Sequence, residues 1–149
     1  MSGTAPLSAR AQSELSRLVA DAPSDARAIG VDVVDVPRLR ARVERRGERL
    51  LARLLTDRER ALCAGASDGY RWYCLAGRVA AKEAAKKTLA PYGAGMGWLD
   101  IEVIRGTREE PVLLFHGQAE ELWRKTGFAD VFLSITHDAD VALAIVVAI

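Results

Sequence analysis

The chain has 149 residues, half of them hydrophobic, which is enough for one domain with a core that folds unaided. Its 21 basic and 20 acidic side chains leave a net charge of +1, and this balance argues against a general nucleic-acid binder. The longest apolar run, residues 141–149, is too short for a membrane-spanning helix, and the N-terminus lacks the apolar segment of a secretory signal. Cys63 and Cys74 lack metal-site spacing, so we expect reduced, buried thiols and a cytoplasmic protein.

The first predicted elements are a helix and a strand. Apolar residues recur at helical spacing over residues 7–21, and Pro23 and Asp25 end the pattern. A β-branched strand over residues 29–36 follows, and it contains Asp32. In a buried strand this carboxylate needs a cation, hydrogen bonds or a metal ion as its partner. The alternative, equally favoured by this segment, is an aspartate that faces water at the edge or end of a strand.

An arginine-rich segment follows Pro37, a residue that the first turn of a helix tolerates. Between positions 38 and 60 the segment holds nine arginines, four acids and no lysine. Arginine recognises carboxylates through paired hydrogen bonds, so the segment fits an acidic protein surface. RNA and an anionic membrane are the alternatives, although the lack of interleaved aromatic residues disfavours single-stranded nucleic acid.

Glu83 and Lys87 lie on a long helix, which the alanine, lysine and leucine content predicts over residues 71–89. Their spacing of four residues puts a carboxylate and an ammonium group on one helix face. Such a pair can hold a divalent cation and contact a phosphate together, since magnesium shares its coordination between carboxylates and substrate phosphates. An ordinary solvated salt bridge is the commoner outcome of this spacing.

The remaining elements complete an α+β pattern. Thr56 and Glu59 have the spacing of a capping box, which predicts the start of a short helix. Further along the chain the sequence predicts strands over residues 98–105, 111–115, 131–136 and 140–147, with a helix over residues 118–125. Helices first and strands later are typical of the α+β class, and no internal repeat is present.

Five segments in a fixed order resemble the holo-acyl-carrier-protein synthases, the short class of 4′-phosphopantetheinyl transferases. The segments are Ile29-Gly30-Val31-Asp32, Leu55-Thr56-Asp57-Arg58-Glu59, Leu75-Ala76-Gly77-Arg78 with Lys82-Glu83 and Lys87, Trp98-Leu99-Asp100-Ile101-Glu102-Val103, and Leu133-Ser134-Ile135-Thr136-His137. The resemblance implies a domain over residues 28–149 and leaves residues 1–27 as an N-terminal extension of unknown role. It also implies an antiparallel sheet packed on a long helix, in subunits that assemble as a homotrimer.

The resemblance further implies transfer of the 4′-phosphopantetheine arm of coenzyme A to a serine of an apo acyl carrier protein, with release of 3′,5′-ADP. Asp32 and Glu83 match the family's ligands of Mg²⁺, and Lys87 matches the lysine that contacts a phosphate oxygen. Glu83 is the group expected to take the serine proton, directly or through a metal-bound water. Fatty-acid and polyketide carriers both remain open.

Coenzyme and carrier contacts are also implied by the resemblance. His137 matches the histidine that holds the 3′-phosphate of coenzyme A, and Ser134 is expected to add a hydroxyl or a backbone amide there. Arg78 is a further match for coenzyme binding, and a charge on the helix surface is its alternative. Arg38 and Arg45 fall where the family docks its carrier. No nucleic acid and no membrane are expected as partners.

The chain departs from the family pattern at two places. Glu109-Glu110-Pro111 stands where Gly-Lys-Pro is usual, and Val79 stands where an aromatic residue is usual. Neither change touches the residues that match the catalytic pattern, so we expect an active enzyme with an altered carrier preference. A non-catalytic carrier-binding module is the first alternative, and a nucleic-acid-binding domain that uses the arginine-rich segment is the second.

Overall fold

The computed structural model describes residues 26–67 and 69–149, together with Ala9, Gln12, Ser13 and Arg17. These four residues are helical and exposed. The rest of the helix predicted over residues 7–21 lies outside the described residues. No helix in the described part of the chain is long and apolar enough to cross a membrane.

Helices dominate the first half of the described chain and strands the second half, so the predicted α+β class is confirmed. The elements are β1 (Ala28–Asp35), α1 (Val36–Arg46), α2 (Glu48–Leu54), α3 (Asp57–Leu62), α4 (Trp72–Leu89), β2 (Ile101–Arg105), β3 (Pro111–Phe115), α5 (Gly117–Thr126), β4 (Val131–Asp138) and β5 (Val141–Ala148). The strand predicted from residue 98 begins only at Ile101, because Trp98–Asp100 form a turn of 3-10 helix.

The strands form two antiparallel sheets, and the larger one packs on α4. Its order is β1-β5-β4, whereas β2 and β3 pair as a hairpin. Helix α4 approaches the larger sheet closely at two glycines. A Cβ at Gly30 would lie 2.0 Å from the Ala84 carbonyl oxygen, and a Cβ at Gly77 would lie 2.9 Å from the side chain of Ile135. Glycine at both positions therefore sets the distance between helix and sheet.

Glu59 joins three elements through a buried ion pair. Its carboxylate accepts a hydrogen bond from Lys82 Nζ at 2.6 Å, and both side chains are fully buried. The same carboxylate accepts from the backbone amides of Val103 and Thr56, each at 2.8 Å. The predicted capping box of Thr56 and Glu59 is confirmed, and burial lowers the pKa of Lys82 despite the Glu59 charge. Glu59 thus ties α3 to α4 and β2.

Cys63 and Cys74 form a disulfide, so the prediction of two reduced thiols is wrong. Cys63 caps the C-terminus of α3, and Cys74 lies in the first turn of α4. The chain reverses between them through a bridge between Ala64 and Tyr70, which leaves the two cysteine Cα atoms 5.4 Å apart. That distance is in the usual range for disulfides, and the spacing in sequence does not reveal the reversal.

Reduction of this disulfide is expected to lower the free energy of unfolding by about 2–3 kcal/mol, because the bond closes a short loop in the unfolded chain. Urea unfolding with and without a phosphine reductant measures the change. The double variant Cys63→Ser/Cys74→Ser is the control, and the reductant should not alter its unfolding midpoint. Equal midpoints for the parent protein under both conditions, with two thiols alkylated before reduction, would contradict the disulfide.

Candidate active site

Asp32, Glu83 and Lys87 meet where β1 crosses α4. Lys87 Nζ donates to Asp32 Oδ1 at 2.8 Å and to the carbonyl oxygen of Val31 at 2.9 Å. The close approach at Gly30 allows this contact, since Gly30 and Asp32 lie on the same sheet face. The structure therefore brings together three of the residues predicted for catalysis and metal binding.

The electrostatics of this site favour a cation. Burial raises the pKa of the Asp32 carboxyl, and the nearby charge of Glu83 raises it further, although the ammonium group of Lys87 offsets part of the rise. Asp32 keeps 18% of its side chain exposed, and Glu83 keeps 34%. The Asp32 carboxylate, whose charge is disfavoured by burial and by Glu83, would gain from a nearby positive ion.

The carboxylate pair fits Mg²⁺ as a shared ligand set. No group of three His, Cys, Asp or Glu side chains that could hold a metal occurs among the described residues. Mg²⁺ is commonly bound by one or two carboxylates, with substrate phosphates and waters as the other ligands. Asp32 and Glu83 could supply the protein oxygens for such an arrangement.

A second lysine lies beside Glu83. Lys86 Nζ is 3.7 Å from Glu83 Oε2, and it lies 4.6 Å from the ring centroid of Trp98. The indole face holds the ammonium group by a cation–π contact. Each carboxylate of the site therefore has a lysine beside it, Lys87 for Asp32 and Lys86 for Glu83.

His137 lies at a different place on the same sheet face. It shares this face with Asp32, because the residues of β5 that pair with Asp32 and His137 are two positions apart and therefore point to the same side of the sheet. However, His137 belongs to the opposite edge strand, and its imidazole contacts Tyr73 in the first turn of α4. Glu83 follows Tyr73 by ten residues, which is about 15 Å along a helix. Within one chain, His137 therefore lies apart from Asp32 and Glu83, and the three side chains do not form a single site.

Ser134 and Arg78 are not brought to His137. Ser134 is three residues before His137 on β4, so its hydroxyl lies on the opposite sheet face. Arg78 is 7% exposed, and its guanidinium donates to the Val103 carbonyl oxygen at 3.2 Å and to Cys74 Sγ at 2.9 Å. Burial lowers the pKa of Arg78, and the alternative of a surface charge is wrong. Its coenzyme contact stays a prediction.

Arg38 and Arg45 lie on the exposed face of α1. Asp35 caps this helix by accepting from the Arg38 amide at 2.7 Å. Arg42 shares the exposed face, since the spacing of the three arginines is four and three residues. The opposite face is buried and consists of Val36, Leu39 and Val43. No described residue forms an ion pair with Arg38 or Arg45, so both guanidinium groups are presented to solvent.

This sequence pattern and fold also occur in proteins of a known family. The family model of the 4′-phosphopantetheinyl transferase superfamily matches residues 28–146. The holo-[acyl-carrier-protein] synthase of Desulforudis audaxviator is 40% identical over 121 residues, which cover 81% of this chain and 91% of the relative. The corresponding synthase of Gloeobacter violaceus is 41% identical over 118 residues, with coverage of 79% and 89%. The chain belongs to the holo-acyl-carrier-protein synthase family of 4′-phosphopantetheinyl transferases.

Solved synthase structures share this fold. The Helicobacter pylori holo-[acyl-carrier-protein] synthase, solved in complex with coenzyme A, superposes with a TM-score of 0.68 at 30% identity. The superposition covers 80% of this chain and 98% of that one. The resemblance stated from the sequence and the enzyme class that it implies are therefore confirmed, and so is the synthase-like sheet packed on a long helix.

Three contacts that involve α4 could not be predicted from the sequence. They are the ion pair of Lys82 with Glu59, the contact of Lys86 with Trp98, and the tilted ring contact of Tyr73 with His137. Each joins residues that are far apart in sequence, and no spacing rule connects them. The separation of Ser134 from His137 did have a signal, because side chains alternate along a strand.

Proposed function

We propose that this protein transfers 4′-phosphopantetheine from coenzyme A to a serine of an apo acyl carrier protein. The observation that carries the proposal is the meeting of Asp32, Glu83 and Lys87 in a chain of the synthase family. The coenzyme is also supported by the Helicobacter pylori relative, whose structure contains coenzyme A. We propose Mg²⁺ as the metal and 3′,5′-ADP as the released product.

Each residue of the site has a separate role in the proposed reaction. Bound Mg²⁺ supplies positive charge that neutralises the diphosphate of coenzyme A. Asp32 and Glu83 would hold the ion, and Lys87 would contact a phosphate oxygen of the diphosphate. Glu83 takes the proton of the serine hydroxyl, directly or through a water. The serine oxygen bonds to the phosphorus of phosphopantetheine, and the bond from that phosphorus to an oxygen of 3′,5′-ADP breaks.

The test is the intact mass of an apo acyl carrier protein after incubation with this protein, coenzyme A and Mg²⁺. A gain of one phosphopantetheine, about 340 Da, supports the proposed reaction. Fatty-acid and polyketide carriers are tested side by side, which identifies the preferred class. Carrier binding without any mass gain would indicate a non-catalytic module, and binding of nucleic acid that weakens steeply with salt would indicate the other alternative.

We also propose that the site is completed by a neighbouring subunit in a homotrimer. His137 and Glu83 lie at separate places on one chain, and closed symmetry can bring the two sites of neighbouring subunits together. The sheet face turned away from α4 supports this arrangement. Ile29 and Phe132 flank Val147 on that face, and they are 40% and 48% exposed. Exposed apolar side chains on one sheet face fit a protein partner.

Phe132→Asp is expected to convert the trimer into monomers, because it places a charge in the apolar interface. Light scattering coupled to gel filtration measures the mass. Leu99→Asp is the matched control, since Leu99 is 46% exposed but does not belong to the sheet. Activity should fall with the loss of the trimer. A monomeric parent protein that is fully active would contradict the shared site.

Arg38 and Arg45 are proposed to dock the acidic surface of the carrier. Arg45→Glu is expected to raise the KM for the carrier about fivefold to tenfold, since it replaces attraction by repulsion at a solvent-exposed contact. The effect should shrink at high salt. Lys125→Glu is the control, because it changes the charge equally on another helix. Equal effects of both variants would indicate a general charge effect rather than docking.

The domain division and the location are also proposals. The family match over residues 28–146 supports a transferase domain over residues 28–149, preceded by an extension of residues 1–27. The cytoplasmic location stays a prediction. Thiol titration of protein from cytoplasmic extracts tests it together with the Cys63–Cys74 disulfide, because disulfides are rare in that compartment.

A further inference from the structure

Tyr73 contacts both the His137 imidazole and the turn that follows β4. Its ring lies 4.9 Å from the His137 imidazole, centroid to centroid, with an angle of 35° between the planes. Its hydroxyl donates to the carbonyl oxygen of Ala139 at 3.0 Å. Ala139 lies in the turn between β4 and β5, where it has a φ of 48°. Tyr73 thus holds both the imidazole and the turn that follows it.

The packing of α4 on the sheet determines where Tyr73 lies. Gly77 is one helical turn further along α4, on the same face as Tyr73. Because Gly77 has no Cβ, the helix lies close to Ile135 on β4. His137 is two residues after Ile135 and points to the same side of the sheet. The close approach therefore brings the Tyr73 ring onto the imidazole.

An exposed imidazole at the end of an edge strand needs restraint if it is to bind a ligand well. His137 is exposed, and a free side chain there would lose rotamer freedom when it bound a phosphate. Contact with an aromatic ring removes part of that freedom before binding, which increases affinity by preorganisation. Tyr73 itself is 43% exposed, so packing in the core does not explain why a tyrosine occupies this position.

We propose that Tyr73 is a positioning residue for the 3′-phosphate of coenzyme A. Its ring orients the His137 imidazole, and its hydroxyl fixes the turn at Ala139 that ends β4. This inference rests on the proposed function and on the expectation from the family resemblance that His137 holds that phosphate.

The test compares coenzyme A with 3′-dephospho-coenzyme A as donors for the carrier. Tyr73→Ala is expected to raise the KM for coenzyme A about fivefold to tenfold, in proportion to the loss of an aromatic contact. The KM for dephospho-coenzyme A should stay within about twofold, because that donor lacks the phosphate that His137 holds. Tyr73→Phe keeps the ring, so it should retain most of the discrimination between the two donors.

A double-mutant cycle separates positioning from general damage. His137→Ala should abolish the preference for the 3′-phosphate, and adding Tyr73→Ala in that background should have no further effect on either KM. Tyr92→Ala is the control, since Tyr92 is 42% exposed and packs on Phe128 away from this site. Circular dichroism checks the fold of each variant, and Tyr73→Leu replaces Tyr73→Ala if the latter does not fold.

Each outcome separates the inference from the proposed function. An equal rise in both KM values, or an added effect in the His137→Ala background, would overturn the positioning role. A parent enzyme that is active but does not prefer the 3′-phosphate would overturn the role of His137 and this inference with it. A parent protein without transfer from either donor would overturn the proposed function itself.

Discussion

Glu83→Gln is expected to lower kcat/KM for phosphopantetheine transfer by about a thousandfold or more, because charge neutralisation by a metal is worth several kcal/mol and each 1.4 kcal/mol is a factor of ten. Glutamine keeps the size of the side chain but removes the charge that holds Mg²⁺ and the group that takes the serine proton. Initial rates of carrier modification over a range of Mg²⁺ concentrations measure the loss. Excess Mg²⁺ should restore little activity, since the proton acceptor is also absent.

Glu83→Gln should lower the activity but increase the stability of the metal-free protein at higher pH. Burial and the charge of Glu83 raise the pKa of Asp32 in the folded protein. The contribution of Asp32 to stability is therefore fully present below its pKa in the unfolded chain. This contribution is lost as the pH rises through its pKa in the folded protein. Glu83→Gln removes one cause of the rise, so the metal-free variant should lose less stability than the parent above about pH 4.

Glu121→Gln is the matched control for both measurements. Glu121 is exposed on α5, and the same chemical change there should leave the rate and the pH dependence of unfolding unchanged. A Glu83→Gln variant that retains more than a tenth of the parent rate would show that Glu83 neither holds the metal nor takes the proton. Melting temperatures without metal at several pH values test the stability effect.

Lys82→Met is expected to lower the free energy of unfolding by about 3–5 kcal/mol, the usual cost of removing one partner of a buried ion pair. The substitution leaves the Glu59 carboxylate charged and fully buried between α3, α4 and β2. Two backbone amides still donate to that carboxylate, but they do not replace the lost ammonium group. Urea unfolding monitored by tryptophan fluorescence measures the change.

The double variant Lys82→Met/Glu59→Gln should recover part of this loss, since glutamine removes the buried charge and keeps an oxygen for the backbone amides. Lys125→Met, at an exposed position, is the control and should change stability by less than about 0.5 kcal/mol. If Lys82→Met were as stable as the parent, or if the double variant were less stable than both single variants, the pair would not have the role assigned to it.

Local features of the fold could be predicted because their causes are local. The capping box at Thr56, the proline in the first turn of α1 and the helical composition of α4 act within a few residues. Helix α4, predicted over residues 71–89, spans Trp72–Leu89, and β3 has the predicted bounds. The strand predicted from residue 98 begins at Ile101 instead, because Trp98–Asp100 form a turn of 3-10 helix.

The candidate site could be predicted only in part. Glu83 and Lys87 share a helix face by spacing alone, and the resemblance adds Asp32 and His137. Ser134 lies across the sheet from His137, and the alternation of side chains along the predicted strand could have shown this. The sequence offered no reason for Arg78 to be buried, because the groups that accept its hydrogen bonds include the Val103 carbonyl oxygen on β2.

The sequence by itself determined the α+β class, the family and the residue types of the catalytic pattern, since these depend on composition, periodicity and ordered motifs. Only the tertiary structure decided which of those residues meet. The docking of α4 at Gly30 and Gly77 brings Lys87 to Asp32 and Tyr73 to His137, and the chain reversal after α3 brings Cys63 to Cys74. Such pairs depend on the distance and angle between elements, which are set by side-chain packing across the whole domain and not by any short stretch of sequence.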